Sequence, residues 1–251
     1  MKPFRPRLRK DHPLNCGLVG AWALSEGIGG TVFDLTGNAG QGSVNGPGWT
    51  TAADGAALNL DGGINSGWYV NLGTAALDRF STASPWTLAM RATTLAVPTS
   101  QTGWGINFTA AVVNPSATPQ FFGIGQQGSG GSVYPKVFSN GKSPGQGAGA
   151  IPLGKQVAFA LVYDGGAAHM WVDAALSYSV TPGSGWNSGL QYLILGTPFT
   201  DNGAYSWRGP ISDARVWNRA LTPAEILAYA NTDYSEFRPR LHRRRLFSVG
   251  A

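Results

Sequence analysis

Glutamate is nearly missing from this chain. Its 251 residues hold three, Glu26, Glu225 and Glu236. Glycoside hydrolysis needs two carboxylates about 5–9.5 Å apart, and no predicted strand carries two acids at i, i+2 spacing. Cysteine is scarcer still. A lone Cys16 excludes an intrachain disulfide framework. With His12, His169 and His242 it forms no metal or nucleophile constellation. Charged residues reach only 12%, which is low for a surface that meets only water and suits a protein resting against neighbours. No apolar run approaches the roughly 18 residues of a membrane span. None of the roughly 7–15 residues of a signal peptide follows the basic N-terminus, so the chain is expected to be made in the cytoplasm without one. The glycines at Gly128-Ser129-Gly130-Gly131 do not lead from a strand into a helix, so phosphate binding is not supported.

What the chain has instead is glycine (36), proline (16) and tryptophan (9). That mixture favours many short strands and tight turns, and a single all-β domain of this length is ordinary. Apolar alternation and turn residues predict strands at 17–23, 32–34, 56–60, 67–72, 86–94, 105–108, 120–125 and 134–139. Further strands are predicted at 157–163, 169–172, 175–180, 191–195 and 211–217. Asp164-Gly165-Gly166 signals a hairpin between two of them. Beyond 134–139, residues 126–155 read as long loops. One short helix is predicted over 223–229, where Thr222-Pro223-Ala224-Glu225 forms a capping box with proline at the first helical position.

The two ends repeat each other. Phe4-Arg5-Pro6-Arg7-Leu8 opens the chain and Phe237-Arg238-Pro239-Arg240-Leu241 closes it, followed by Arg243, Arg244 and Arg245. Residues 1–10 and 236–251 carry ten of the 18 Lys and Arg against one acid, so the ends are +9 and the remainder −4. Basic arms call for an acidic partner. Proline stiffens the pentapeptide, and its Phe and Leu would be wasted in a solvated tail. The reading is therefore a basic arm at 1–13, a body at 14–234 and a second arm at 235–251. The partner-binding candidates are Phe4, Arg5, Arg7, Leu8, Phe237, Arg238, Arg240, Leu241, Arg243, Arg244 and Arg245.

Within the body, four motifs resemble a known family. Residues 18–27 (LVGAWALSEG) followed by 32–38 (VFDLTGN) look like the opening of laminin G-like, concanavalin A-like domains. Residues 57–62 (ALNLDG), the hairpin 157–165 with 170–173 (MWVD), and 211–222 (ISDARVWNRALT) are similar to later parts, in the family's order. The resemblance covers 14–230. It implies a jelly-roll β-sandwich of two antiparallel sheets with one short C-terminal helix. It does not fix function, since that fold carries lectins, glycosidases, adhesion modules and virion proteins. The family's hydrolases carry an E-x-D-x-x-E strand that this chain lacks. Some relatives bind Ca²⁺ through loops like the one holding Asp34 and Asn38, with Asp213 a further oxygen donor. Local turn hydrogen bonds are the preferred reading of those residues, and no cofactor is expected.

The preferred function is non-catalytic. The chain reads as a structural module anchored by its arms to protein subunits of a larger assembly. It resembles laminin G-like decoration or fibre proteins of bacteriophage virions, which implies capsid or tail proteins as partners. The alternative is a carbohydrate-binding module, with Trp104, Tyr134 and Trp186 in or near Gly-rich loops as candidate glycan contacts. Nucleic acid is the third choice, because the body lacks a basic face. Three outcomes are expected. Trp22, 157–163 and Val216 lie in the core; β-glucans are not hydrolysed; and removing residues 1–10 or 236–251 leaves the sandwich folded.

Overall fold

The computed structural model describes residues 6–60, 68–77, 84–97, 104–112, 120–139, 147–181, 192–196, 207–231 and 234–238. In chain order the strands are β1 (Arg7–Leu8), β2 (Leu18–Trp22), β3 (Thr31–Val32), β4 (Gly42–Asn45), β5 (Gly48–Ala52) and β6 (Gly55–Asn59). They continue with β7 (Tyr69–Asn71), β8 (Trp86–Thr93), β9 (Trp104–Val112), β10 (Gln120–Ser129), β11 (Ser132–Ser139) and β12 (Gln156–Tyr163). The last are β13 (Ala168–Val172), β14 (Ala175–Val180), β15 (Tyr192–Gly196), β16 (Pro210–Trp217) and β17 (Phe237–Arg238), with helix α1 (Pro223–Ala230) between the final two. Among the described residues these strands make two large antiparallel sheets and one small ribbon. One sheet runs β11-β10-β9-β15-β7-β4-β3, the other β14-β13-β12-β8-β16-β6-β5 with β2 also paired to β16, and β1 pairs β17. No helix among the described residues is long and apolar enough to cross a membrane.

The period of two along each strand decides what fills the sandwich. Trp86, Leu88, Met90 and Ala92 of β8 meet Phe159 and Leu161 of β12 and Val216 of β16; Val70, Ile124, Val137, Leu193 and Leu195 come from the facing sheet. Trp22 and Val216 are fully buried, and 157–163 is buried along its whole length. That strand reads as a continuous apolar run because both of its faces are covered. Its small outward residues, Ala158 and Ala160, lie under Ile226 and Tyr229 of α1, beside Leu14 and Trp217. The helix starts as its sequence dictates. The Thr222 hydroxyl accepts the Glu225 N–H, and Glu225 accepts back from Thr222. Arg219 forks onto the same carboxylate at 2.7 and 2.8 Å.

Two expectations fail here. Residues 126–155 are not all loop. Strand β10 runs to Ser129 and turns directly into β11 at Ser132. Gly130 and Gly131 make that turn with φ of +57° and +81°, a two-residue geometry that matches the strand twist and favours glycine at both positions. The arms are also not separate from the body where they are described. Arg7 lies opposite Arg238 and Leu8 opposite Phe237, so the two repeats zip together as β1 and β17. Phe237 is 5% exposed, packed with Ala23 and Tyr234. Glu236 is an internal anion, 2.6 Å from the fully buried Arg215. Phe237 is thus spent on the chain's own core and is not free for a partner.

Arg215 organises this outer face of the β8–β16 sheet. Its Nε donates to Asp213 at 2.9 Å and its Nη2 to Glu236. Asp213 also accepts from the Tyr229 hydroxyl at 3.0 Å. Arg91, one strand away, donates to the Tyr229 carbonyl in the last turn of α1, where a cation is favoured. Its guanidinium lies over the rings of Tyr229 and Tyr234, 4.4 and 4.9 Å from their centroids. Burial alone would raise the Glu236 carboxyl, but the Arg215 charge and hydrogen bond outweigh it and hold the group below its ordinary value.

Removing residues 236–251 therefore takes one of its two anions from Arg215, so that deletion should destabilise the sandwich and not leave it intact. Glu236→Ala should cost about 3–5 kcal/mol in chemical denaturation, because it leaves a buried cation half-paired. Unchanged stability would show that solvent reaches Arg215. A second test uses Glu225, whose carboxyl is pulled down to about 2, first by the Arg219 hydrogen bond. A carboxyl depressed in the folded state adds stability above its unfolded value, near 4.3, and loses it as pH falls through the folded value. Glu225→Gln should destabilise by about 1 kcal/mol at pH 7. Between about pH 4.5 and pH 2 the gap to the wild type should narrow in thermal melts; a gap independent of pH would refute the assignment.

Candidate functional site

Polar side chains that reach solvent gather at the β3 end of the seven-stranded sheet. Thr31 lies opposite Ser43, Ser43 opposite Asn71, and Asn71 opposite Ile194. Cross-strand partners share a face. Since Val32, Val44, Val70 and Leu72 belong to or pack against the core, this row faces away from it. The next row is Asn45, Tyr69 and Gly196. On the other side, Phe33 and Gln41 are the residues just past the β3–β4 pairing, and Gly73 lies just past β7. Within this region lies an open cleft of about 320 Å³ lined by Thr31, Gln41, Gly42, Ser43, Asn71 and Gly73, with Phe33 and Tyr69 outside its lining.

Local bonds hold this edge in place. The Trp49 indole N–H donates to the Gly29 carbonyl at 2.7 Å, and the Val44 N–H to the Gly30 carbonyl at 2.9 Å. The Phe33 N–H donates to Glu26 at 2.9 Å, and the Phe33 side chain is 47% exposed. Gly73 N–H donates to Asn71 Oδ1 at 2.9 Å, which turns the Asn71 Nδ2 the opposite way. Behind the edge, Asp34 accepts from the Ala21, Thr36 and Ala39 N–H groups and from the Thr36 hydroxyl. Gly196 has φ +89°, and a Cβ there would fall 2.7 Å from the Trp68 carbonyl oxygen. The row at Tyr69 therefore has no side chain on its β15 side. The described lining offers hydroxyls, amides and backbone and carries no charge. It suits ligands that are dense in hydroxyl groups, since each such group can both donate and accept.

The residues singled out from sequence lie elsewhere. Trp104 and Tyr134 fall in strands, each opposite Gln127, at the β11 end of the same sheet; Tyr134 is half-buried. Lys136, two residues beyond Tyr134, is buried, and desolvation lowers its ammonium to about 8. Trp186 lies outside the described residues, as do Phe4, Arg5, Arg240, Leu241, Arg243, Arg244 and Arg245. Arg7 is exposed and Leu8 half-buried, with Arg238 opposite Arg7. The carboxylates weighed for calcium have other work: Asp34 holds the turn knot, with Asn38 donating its backbone N–H to the Thr36 hydroxyl, and Asp213 holds Arg215. Among the described residues no three His, Cys, Asp or Glu gather for a metal. His169 stands between Ser179 at 2.9 Å and Asp164 at 3.0 Å. Ser179 is its cross-strand partner, and Asp164 caps the turn through Gly166 and Ala167, so the hairpin accounts for all three.

Sequence reasoning missed Phe33, Gln41, Ser43 and Asn71 as site residues. The signal was present in Ser43-Val44-Asn45 and Tyr69-Val70-Asn71, where two short strands each flank one core valine with polar residues.

Comparison with known proteins fits this architecture. The Trypanosoma rangeli sialidase in complex with sialic acid superposes with a TM-score of 0.65 at 16% identity, over 88% of this chain and 34% of that one. This chain thus spans about a third of the sialidase's length. Domain 4 of AbnA, a GH43 extracellular arabinanase from Geobacillus stearothermophilus, in complex with arabinotriose, gives a TM-score of 0.61 at 20% identity, covering 85% of this chain and 98% of that domain. The binding domain of Paraclostridial Mosquitocidal Protein 1 gives 0.61 at 14% identity, over 88% and 53%. At these identities the likeness is one of fold. Among curated proteins none matches the chain in sequence. The family model described as the concanavalin A-like lectin/glucanases superfamily matches residues 61–227, more than half of the chain, which belongs to that family.

Proposed function

We propose that this chain is a non-catalytic carbohydrate-binding module. The observation that carries the reading is the uncharged, hydroxyl- and amide-lined cleft on the open face of the seven-stranded sheet. It is supported by a fold neighbour, domain 4 of AbnA, that was solved holding arabinotriose. The non-catalytic part rests on what the glutamates do. Glu26 holds Phe33, Glu225 caps α1 and Glu236 neutralises Arg215. The full chain on a carbohydrate array is expected to retain a subset of glycans, and incubation with β-glucans to release no reducing ends. Retention of no glycan, or turnover abolished by one Asp or Glu substitution, would rule the reading out.

A second reading concerns where the module sits. The β1–β17 pairing favours it, since it brings the two basic repeats to one point on the body. Two linked contacts raise each other's effective concentration, so the arms would act as one bivalent anchor on subunits of a larger assembly. A virion decoration or fibre is the form that the arms' sequence suggests. Removing residues 1–5 and 239–251 spares Glu236 and Phe237, so the shortened chain should fold and lose its place on the assembly. Full occupancy by that chain would refute the anchor.

A further inference from the structure

We propose that the β3-edge cleft takes a neutral oligosaccharide, with Phe33 and Tyr69 as stacking platforms at its two ends. The polar floor between them is Thr31, Gln41, Ser43 and Asn71. This inference rests on the carbohydrate reading above and deepens it.

The argument begins with register. Ser43 and Asn45 lie on the outward face of β4, and Gln41 precedes the strand at the same two-residue spacing. Phe33 follows Val32, which is opposite Gly42, so the same register carried one residue further sets it level with Gln41; Tyr69 is opposite Asn45 on the β7 side. The platforms are therefore four residues apart along β4, about 13 Å, and two strands apart across it, about 10 Å. That diagonal is longer than one sugar ring, so the ligand is a chain and not a monosaccharide. An aromatic face accepts the C–H face of a ring, and the hydroxyls left at its rim need partners that both donate and accept. The floor supplies these in Ser43, Thr31, the Gln41 amide and the outward-turned Asn71 Nδ2.

Charge sets the class. Among the described residues no lining residue is charged, and the charge beside Phe33 is the Glu26 carboxylate that accepts its N–H. A sialic or uronic acid placed here would leave its carboxylate without a cation while losing water. The cleft therefore selects neutral sugars, whatever the sialidase neighbours in the fold bind.

The test is calorimetric titration of the full chain with neutral trisaccharides (arabinotriose, cellotriose and maltotriose), with the matching monosaccharides, and with 3′-sialyllactose. At least one neutral trisaccharide should bind, its monosaccharide about tenfold or more weakly, and sialyllactose should give no heat. Phe33→Ala should weaken binding about tenfold, the scale of one aromatic contact, and Phe33→Trp should retain it. Asn71→Ala should weaken it as well. Circular dichroism checks that each variant is folded, which is expected for exposed or half-exposed positions. Trisaccharide binding that Phe33→Ala and Asn71→Ala leave unchanged would overturn this site while sparing the carbohydrate reading. Tighter binding of sialyllactose would overturn the neutral class. No binding of any sugar here or on the array would overturn both.

Discussion

Arg215 is a cation with no access to water, and such a group must be answered by anions in contact with it. Asp213 answers from two residues away on the same strand. Glu236 answers from beyond α1, and that distance gives the contact its consequence. To bring Glu236 in, the chain must turn back after the helix, seat Tyr234 and Phe237, and arrive where β17 can pair β1. Arg9 and Asn15 then secure the other end: the Arg9 N–H and the Asn15 amide both donate to the Glu236 carbonyl. One buried charge therefore fixes both ends of the body. The tyrosines above it are kept protonated, since burial pushes the Tyr229 hydroxyl well up, and that of Tyr234 also rises. The latch has its donors and acceptors fixed across the neutral range.

The two sheets divide the work. The β8–β16 sheet is covered outside by α1, the Pro13–Asn15 turn and the terminal ribbon. Its strands tolerate Ala158 and Ala160 outward because a helix lies against them. The other sheet shows polar residues outward at its β3 end, and it is there that Ser43 and Asn71 meet solvent. The buried ion pairs lie on one face and the cleft on the other. A ligand on the β3 edge then has no need to disturb the ion pairs that hold the ends.

What the sequence revealed follows from how local each signal was. The strand at 157–163, the Asp164 hairpin and the Thr222 capping box are written within a few adjacent residues, and each formed where expected. The fold came through because four such motifs occur in family order. Strands β4 and β5 did not show, since Gly42–Asn45 and Gly48–Ala52 have one large apolar residue each, Val44 and Trp49. The hairpin at Gly130 and Gly131 hid within glycine-rich sequence that also suits a loop. The Arg215–Glu236 pair had no signal at all. The two residues are far enough apart in sequence that no periodicity links them, and a glutamate beside Phe-Arg-Pro-Arg reads as part of a basic tail. The cleft was missed for a related reason. Tryptophans were weighed as sugar platforms, but Trp22, Trp86 and Trp207 fill the sandwich and Trp217 packs under α1. The exposed aromatic at the polar edge is a phenylalanine.

The same logic shows what the glutamates do in this member of a lectin and glucanase family. A carboxylate that is to give or take a proton must keep a value near the working pH and a free lone pair. Glu225 is pulled down to about 2 by Arg219 and the capping box, and Glu236 is held low by Arg215. Both are fixed in the ionised form at neutral pH, where neither can donate a proton. Both lie on the covered side of the sandwich, away from the cleft. Glu26 accepts the Phe33 N–H and so fixes the backbone just past β3. The chain has used its few glutamates to hold shape. Among the described residues, that leaves the lining of the cleft to uncharged groups.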